Sequence, residues 1–185
     1  MKAKTLFLLT LFSMTVSFSF ASCGTNSAPK PREKKSMTRD VRIKPDSAAY
    51  ASLGKTMTDL LFSPKKVKCY HVVAKANVDK DKEFEIQPNF VQDTLIAELD
   101  AKLIGVLQHE LLSDGKNYKK DSIRVRSPYA PQLVFVFEKK KAVAYVLVSL
   151  SDYSWSVVYD DKLQFNWNYE DKYAIKRFCD MFIKQ

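Results

Sequence analysis

Between Asp46 and Phe62 apolar positions recur every three or four residues. Tyr50, Leu53, Met57, Leu60 and Leu61 fall on one stripe, which predicts an amphipathic helix. Asp46 follows Pro45 as its N-cap, and Ser63-Pro64 stops it. Val67 to Ala74 has the β-branched and aromatic character of a strand, with Cys69 and His71 on one face by alternation. Asn77 to Glu85 reads as a charged loop or an edge hairpin. From about Asp93 to Leu112 the apolar positions Ile96, Leu99, Leu103, Leu107 and Leu111 predict a second helix, ended by the turn chemistry of Ser113-Asp114-Gly115.

The remainder alternates with period two. Ser122–Arg126, Leu133–Phe137, Ala142–Leu150, Ser154–Tyr159 and Leu163–Tyr169 are expected as strands. They are separated by Ser127-Pro128 with Pro131, by Lys139-Lys140-Lys141, by Ser151-Asp152 and by Asp160-Asp161. Connections this short demand antiparallel pairing, so the last four strands form a meander. Glu170 to Lys184 closes the chain as a helix using Tyr173, Ile175, Phe178, Met181 and Phe182. The fold class expected is α+β: an antiparallel sheet of about five strands packed by two or three helices.

Upstream of this domain the pattern changes. Lys2 and Lys4 precede an apolar run from Leu6 to Phe20, about 15 residues where a membrane span needs roughly 20. The run ends in Phe20-Ala21-Ser22-Cys23-Gly24, the anatomy of a secretory signal followed by a cysteine. This segment resembles the lipobox of bacterial lipoproteins, with Phe20 where the family usually has Leu. The resemblance implies that Cys23 is diacylated and becomes the mature N-terminus. Ordinary cleavage after Ala21 is the alternative, because Ser19-Phe20-Ala21 also fits a small-x-small site. The chain is thus similar to small lipoproteins of Gram-negative bacteria, and no motif in the folded domain points to a particular family. Three regions follow: 1–22 as signal peptide, 23–45 as lipidated N-terminus and basic tether, and 46–185 as one globular domain.

Charge and cysteine counts then fall into place. The chain carries 30 Lys+Arg against 21 Asp+Glu, a formal +9. Two of those positives belong to the signal. Between Gly24 and Pro45 seven bases face Glu33 and Asp40, and from Asp46 onward 21 bases face 19 acids. The tether is basic and the domain nearly neutral, so nucleic acid is not an expected partner. A basic segment beside a lipid would be drawn to anionic head groups. With Cys23 acylated, Cys69 and Cys179 remain as an even pair in an oxidising compartment. A disulfide between the early strand and the last helix is expected, worth on the order of 4 kcal/mol for a loop this long. Two unrelated buried thiols are the alternative.

Little else carries chemistry. Three Cys are too few for a Cys₄ zinc module, and four Gly leave no phosphate-binding loop. His71 sits on a strand, and His109 beside Glu110 does not make a metal pair. Asp79-Lys80-Asp81-Lys82-Glu83 lacks the glycine of a calcium loop. No enzyme, cofactor or metal is expected. The feature that invites a ligand is aromatic: Trp155, Val157 and Tyr159 alternate on one strand, and Phe165, Trp167 and Tyr169 on its neighbour. Paired in register they form a ladder. Exposed, it would stack sugar rings or grip a peptide; packed under a helix, it would be core. The function expected is a membrane-anchored periplasmic lipoprotein, on the outer membrane, acting as a non-catalytic binding or assembly module toward an envelope protein or glycan. A cell-wall or glycan-directed enzyme is the alternative.

Overall fold

A computed structural model describes residues 42–77, 85–87, 89–120, 129–160 and 162–184, within a compact unit spanning Asp40–Gln185. The signal segment, Cys23, most of the tether, the strand expected at Ser122–Arg126 and most of the loop after Asn77 lie outside those residues.

The architecture is α+β. Helix α1 (Ser47–Phe62) leads into β1 (Lys66–Ala74), then β2 (Glu85–Gln87) and β3 (Phe90–Glu98). Helix α2 (Ala101–Leu107) continues as a π-helical turn over Gln108–Leu112, and a 3₁₀ turn follows at Gly115–Tyr118. Strands β4 (Leu133–Lys139), β5 (Ala142–Ser149), β6 (Ser154–Tyr159) and β7 (Lys162–Asn168) precede the closing helix α3 (Lys172–Ile183). The sheet has seven strands in the order β2-β3-β1-β4-β5-β6-β7, every pair antiparallel. The C-terminal meander is as expected, and the sheet exceeds the expected five strands.

The additional strands come from a correction. Helix was expected from Asp93, yet Phe90–Glu98 is β3, paired along β1 from Ala74↔Phe90 to Lys68↔Glu98. The helical register begins only after Asp100, whose side chain accepts from Leu103 N at 2.8 Å. Val91, Thr94 and Ile96 are β-branched, which suits a strand, and Val91 and Leu95 pair with Val73 and Tyr70 of β1. All three helices start on an aspartate cap: Asp46 accepts from Ala49 N, Asp100 from Leu103 N, and Asp171 from Ala174 N.

Helix α1 is broken at Gly54, with φ 72° and ψ 171°, a backbone state essentially reserved to glycine. The break rotates Tyr50 out of the predicted stripe. Ala49, Leu53, Met57, Leu60 and Leu61 are buried, while Tyr50 is 47% exposed.

One sheet face carries the main core. Phe135 and Phe137 of β4, Val146 and Val148 of β5, and Trp155 and Val157 of β6 meet the helices there. Phe135 packs on Phe178 and Phe182 of α3, with centroids 5.8 Å away in both cases. The opposite face holds a smaller apolar group built on Val134, Val136, Leu147 and Val158, flanked by Tyr70, Phe90 and Tyr145. The three meander turns place non-glycine residues at positive φ: Lys140 at 55°, Tyr153 at 58° and Asp160 at 54°.

Candidate functional site

The aromatic hairpin forms as a pair and fails as a platform. Trp155 lies directly opposite Trp167 in the ladder, with ring centroids 4.7 Å apart. Both indoles are buried, however, and so is Tyr169. Tyr118 of the 3₁₀ turn covers them, edge-on to Trp155 at 5.2 Å and to Trp167 at 4.9 Å. Tyr159 is half-buried, and Phe165 is described in its backbone alone. The exposed ligand-binding ladder is therefore overturned. The aromatic face is turned toward the helices, where burial of such rings stabilises the fold.

The expected disulfide is absent. Cys69 of β1 and Cys179 of α3 share the main apolar cluster as free thiols. Burial raises Cys69 far above the usual thiol range, with Cys179 adding to the effect, and pushes Cys179 up to about 12. Exchange needs a thiolate, and these surroundings hold both sulfurs protonated. The sequence placed the two cysteines on the right elements without establishing a bond.

His71 sits opposite Leu133 in the β1–β4 ladder. His109 is exposed, and its Nδ1 lies 3.2 Å from Glu110 Oε1. Among the described residues no three His, Cys, Asp or Glu side chains form a metal-binding group, and no helix is long and apolar enough to cross a membrane.

What the structure does build are two contrasting ends of the domain. At one, around Asn117, the carbonyls left over at the end of the π turn each find a donor. Ser113 Oγ donates to His109 O, Asn117 Nδ2 to both Glu110 O and Leu111 O, and Tyr118 Oη to Leu112 O. Asp46 N donates to Ser113 O at 2.8 Å. Asn117 also accepts from Glu170 N through Oδ1 and from Trp155 Nε1 through its main-chain carbonyl. The Asp46 carboxylate takes Ala49 N and Gly115 N, each at 2.7 Å, and these bonds hold it below the usual carboxylate range. The fit is close: a Cβ on Gly115 would lie 2.5 Å from Ala48 Cβ.

The other end gathers the C-terminal part of α1, the β4–β5 turn and the start of β1. A groove of about 510 Å³ runs between residues 42–45 and α1, lined by Lys55, Thr58, Asp59 and Phe62. Two smaller depressions continue it, one sharing Asp59 and the next sharing Lys140. The acids there are engaged: Lys139 meets Asp59 at 2.7 Å, Lys66 meets Glu98 at 2.5 Å and Lys68 meets Glu138 at 2.7 Å. The Glu138 hydrogen bond raises Lys68 above the usual ammonium range. Sequence reading took Lys139-Lys140-Lys141 as turn punctuation; three cations in a turn without glycine were the signal available for this surface. A separate open groove of about 630 Å³ between α2 and α3 has mixed charge, with Asp100 and Glu110 opposing Lys102 and Arg177.

Comparison of the chain with protein-family models, with curated proteins and with solved structures returned no match.

Proposed function

We propose that the protein is an exported lipoprotein, acylated on Cys23 and held at a membrane, whose domain serves as a non-catalytic binding or assembly module of the cell envelope. The outer membrane, with the domain facing the periplasm, is the proposed location. One observation carries the reading: the order of Lys2 and Lys4, the short apolar run, Phe20-Ala21-Ser22-Cys23 and a basic segment, all ahead of the folded unit. The interior supports a binding role over catalysis. Trp155, Trp167 and Tyr169, three of the rings that would have held a glycan, are enclosed, and burial raises both thiols above the usual range. The glycan-directed alternative was motivated by the aromatic hairpin and by His71, and burial of Trp155 and Trp167 removes only the first of these. Labelling of expressing cells with a radioactive fatty acid tests the proposal: wild type should incorporate label and fractionate with membranes, and Cys23→Ala should incorporate none. Label retained in Cys23→Ala, or a soluble wild type lacking acyl mass, sinks it.

A further inference from the structure

We propose that the basic end of the domain is a docking face for anionic phospholipid head groups, lying against the membrane that the lipid anchor occupies. The inference rests on the anchored reading for its location and on independent geometry for its chemistry.

Arg42, Lys44, Lys55, Lys65, Lys140 and Lys141 line the three adjoining depressions at this end and are exposed. None of the six has an acidic partner among the described residues, because the local carboxylates Asp59, Glu98 and Glu138 are taken by Lys139, Lys66 and Lys68. Four of the six belong to the stretch from Asp46 onward, with its 21 bases and 19 acids, so a nearly neutral domain presents a positive end. Such a surface fits a plane of negative charge better than a single small anion, because the cations are spread over four segments of the chain and converge on no common point. The β4–β5 tip adds a second observation. A two-residue hairpin loop favours Asn or Gly where φ is positive, yet Lys140 occupies that state at φ 55° with Lys141 beside it. Two cations are presented at the most protruding point of the hairpin in place of the residues the turn prefers. Tyr50, 47% exposed in the same groove, supplies the amphipathic ring common at head-group depth.

Connectivity brings this face to a bilayer. The described chain begins at Arg42, within the groove itself, and Cys23 lies 19 positions upstream. Nineteen residues reach at most about 65 Å, so an acylated Cys23 keeps the face within a short search distance and raises its effective concentration at the surface.

The test uses the full chain and vesicles of phosphatidylcholine alone or with one third phosphatidylglycerol. The readout is the ratio of partitioning into the two. Each well-placed cation contributes about fivefold at modest salt, so Lys55→Gln/Lys140→Asn/Lys141→Gln should lower the ratio on the order of 100-fold. A matched variant, Lys116→Gln/Lys120→Gln/Lys172→Gln, removes equal charge near Glu170 and Trp167 and should leave it close to wild type. The N-terminal segment is common to all three proteins and cancels. Equal ratios for wild type and the first variant overturn the docking face, as does an equal loss in the matched variant. Repeating the comparison in Cys23→Ala separates the two proposals: anchoring fails on the absence of acyl mass, docking on the absence of a lysine-dependent ratio.

Discussion

The two ends of α1 solve opposite problems. At its N-terminus, Asp46, Ser113, Asn117 and Tyr118 supply donors to the carbonyls at the end of the neighbouring π turn, and Gly115 leaves no room for a methyl group. At the basic end, six cations have no acidic partner among the described residues, and a lysine holds a left-handed turn. Satisfaction of buried polar groups fixes a unique structure; unpaired surface charge contributes little to stability and instead sets what the surface attracts. Substitutions at the closed end should therefore damage the fold, and substitutions at the basic end should spare or improve it.

The largest effect is expected at Asn117. Asn117→Ala leaves Glu110 O, Leu111 O and Glu170 N unpartnered in a buried setting. At roughly 1–3 kcal/mol for each such group, moderated by water entering the gap, a loss of about 3 kcal/mol is expected. Urea denaturation followed by tryptophan fluorescence reports it directly, because Trp155 and Trp167 sit beside the site. A loss below about 1 kcal/mol would mean that the junction is not the structural keystone its hydrogen bonds describe.

Asp46 comes next, and its effect depends on pH. The carboxyl is held below its unfolded value, chiefly by Ala49 N and then by Gly115 N. The charged form is thus favoured in the folded state, so its contribution is present above the unfolded pKa and disappears as pH falls through the folded one. Asp46→Asn keeps one cap acceptor and loses the charge. The variant should be about 1 kcal/mol less stable at pH 7, with the gap to wild type closing below pH 4. Thermal midpoints from pH 7 to pH 2 check this; a gap that stays constant in acid would refute the assignment.

These contrasts also show what the sequence made legible. The meander, α3 and the Asp46 cap follow from periodicity and turn chemistry, because neighbouring residues determine them. β3 did not, since Val91, Leu95 and Ile96 satisfy helical spacing as well as strand spacing, and pairing with β1 decided the matter. The Trp155–Trp167 pairing was legible, but its orientation was not. Alternation says which residues share a face, not which face meets the helices. Ser154 and Ser156, which alternate with Trp155 and Val157, are buried too, with Tyr129 Oη 2.6 Å from Ser156 Oγ. The basic end was legible only as a count of basic residues, because its members come from the segment before α1, α1 itself, the segment after it and the β4–β5 turn.

The smallest effect discriminates most finely between the two ends. Lys140 and Tyr153 share the same strained backbone state, at φ 55° and 58°. Tyr153 recovers that cost through its surroundings: Lys172 Nζ lies 4.2 Å from its ring centroid, and Tyr169 packs edge-on at 6.3 Å. Lys140 is exposed and has no ion pair among the described residues. Glycine relieves the left-handed strain at either site but removes contacts only at Tyr153. Lys140→Gly should therefore raise stability by about 0.5 kcal/mol, after the added freedom of the unfolded chain is deducted. Tyr153→Gly should lower it by about 2 kcal/mol, since the lost ring contacts outweigh the relieved strain. Chemical denaturation of both variants in the same buffer makes the comparison. Opposite signs would mean that Lys140 is kept in its turn for something other than stability; a loss at both would place the β4–β5 tip among the parts that hold the fold.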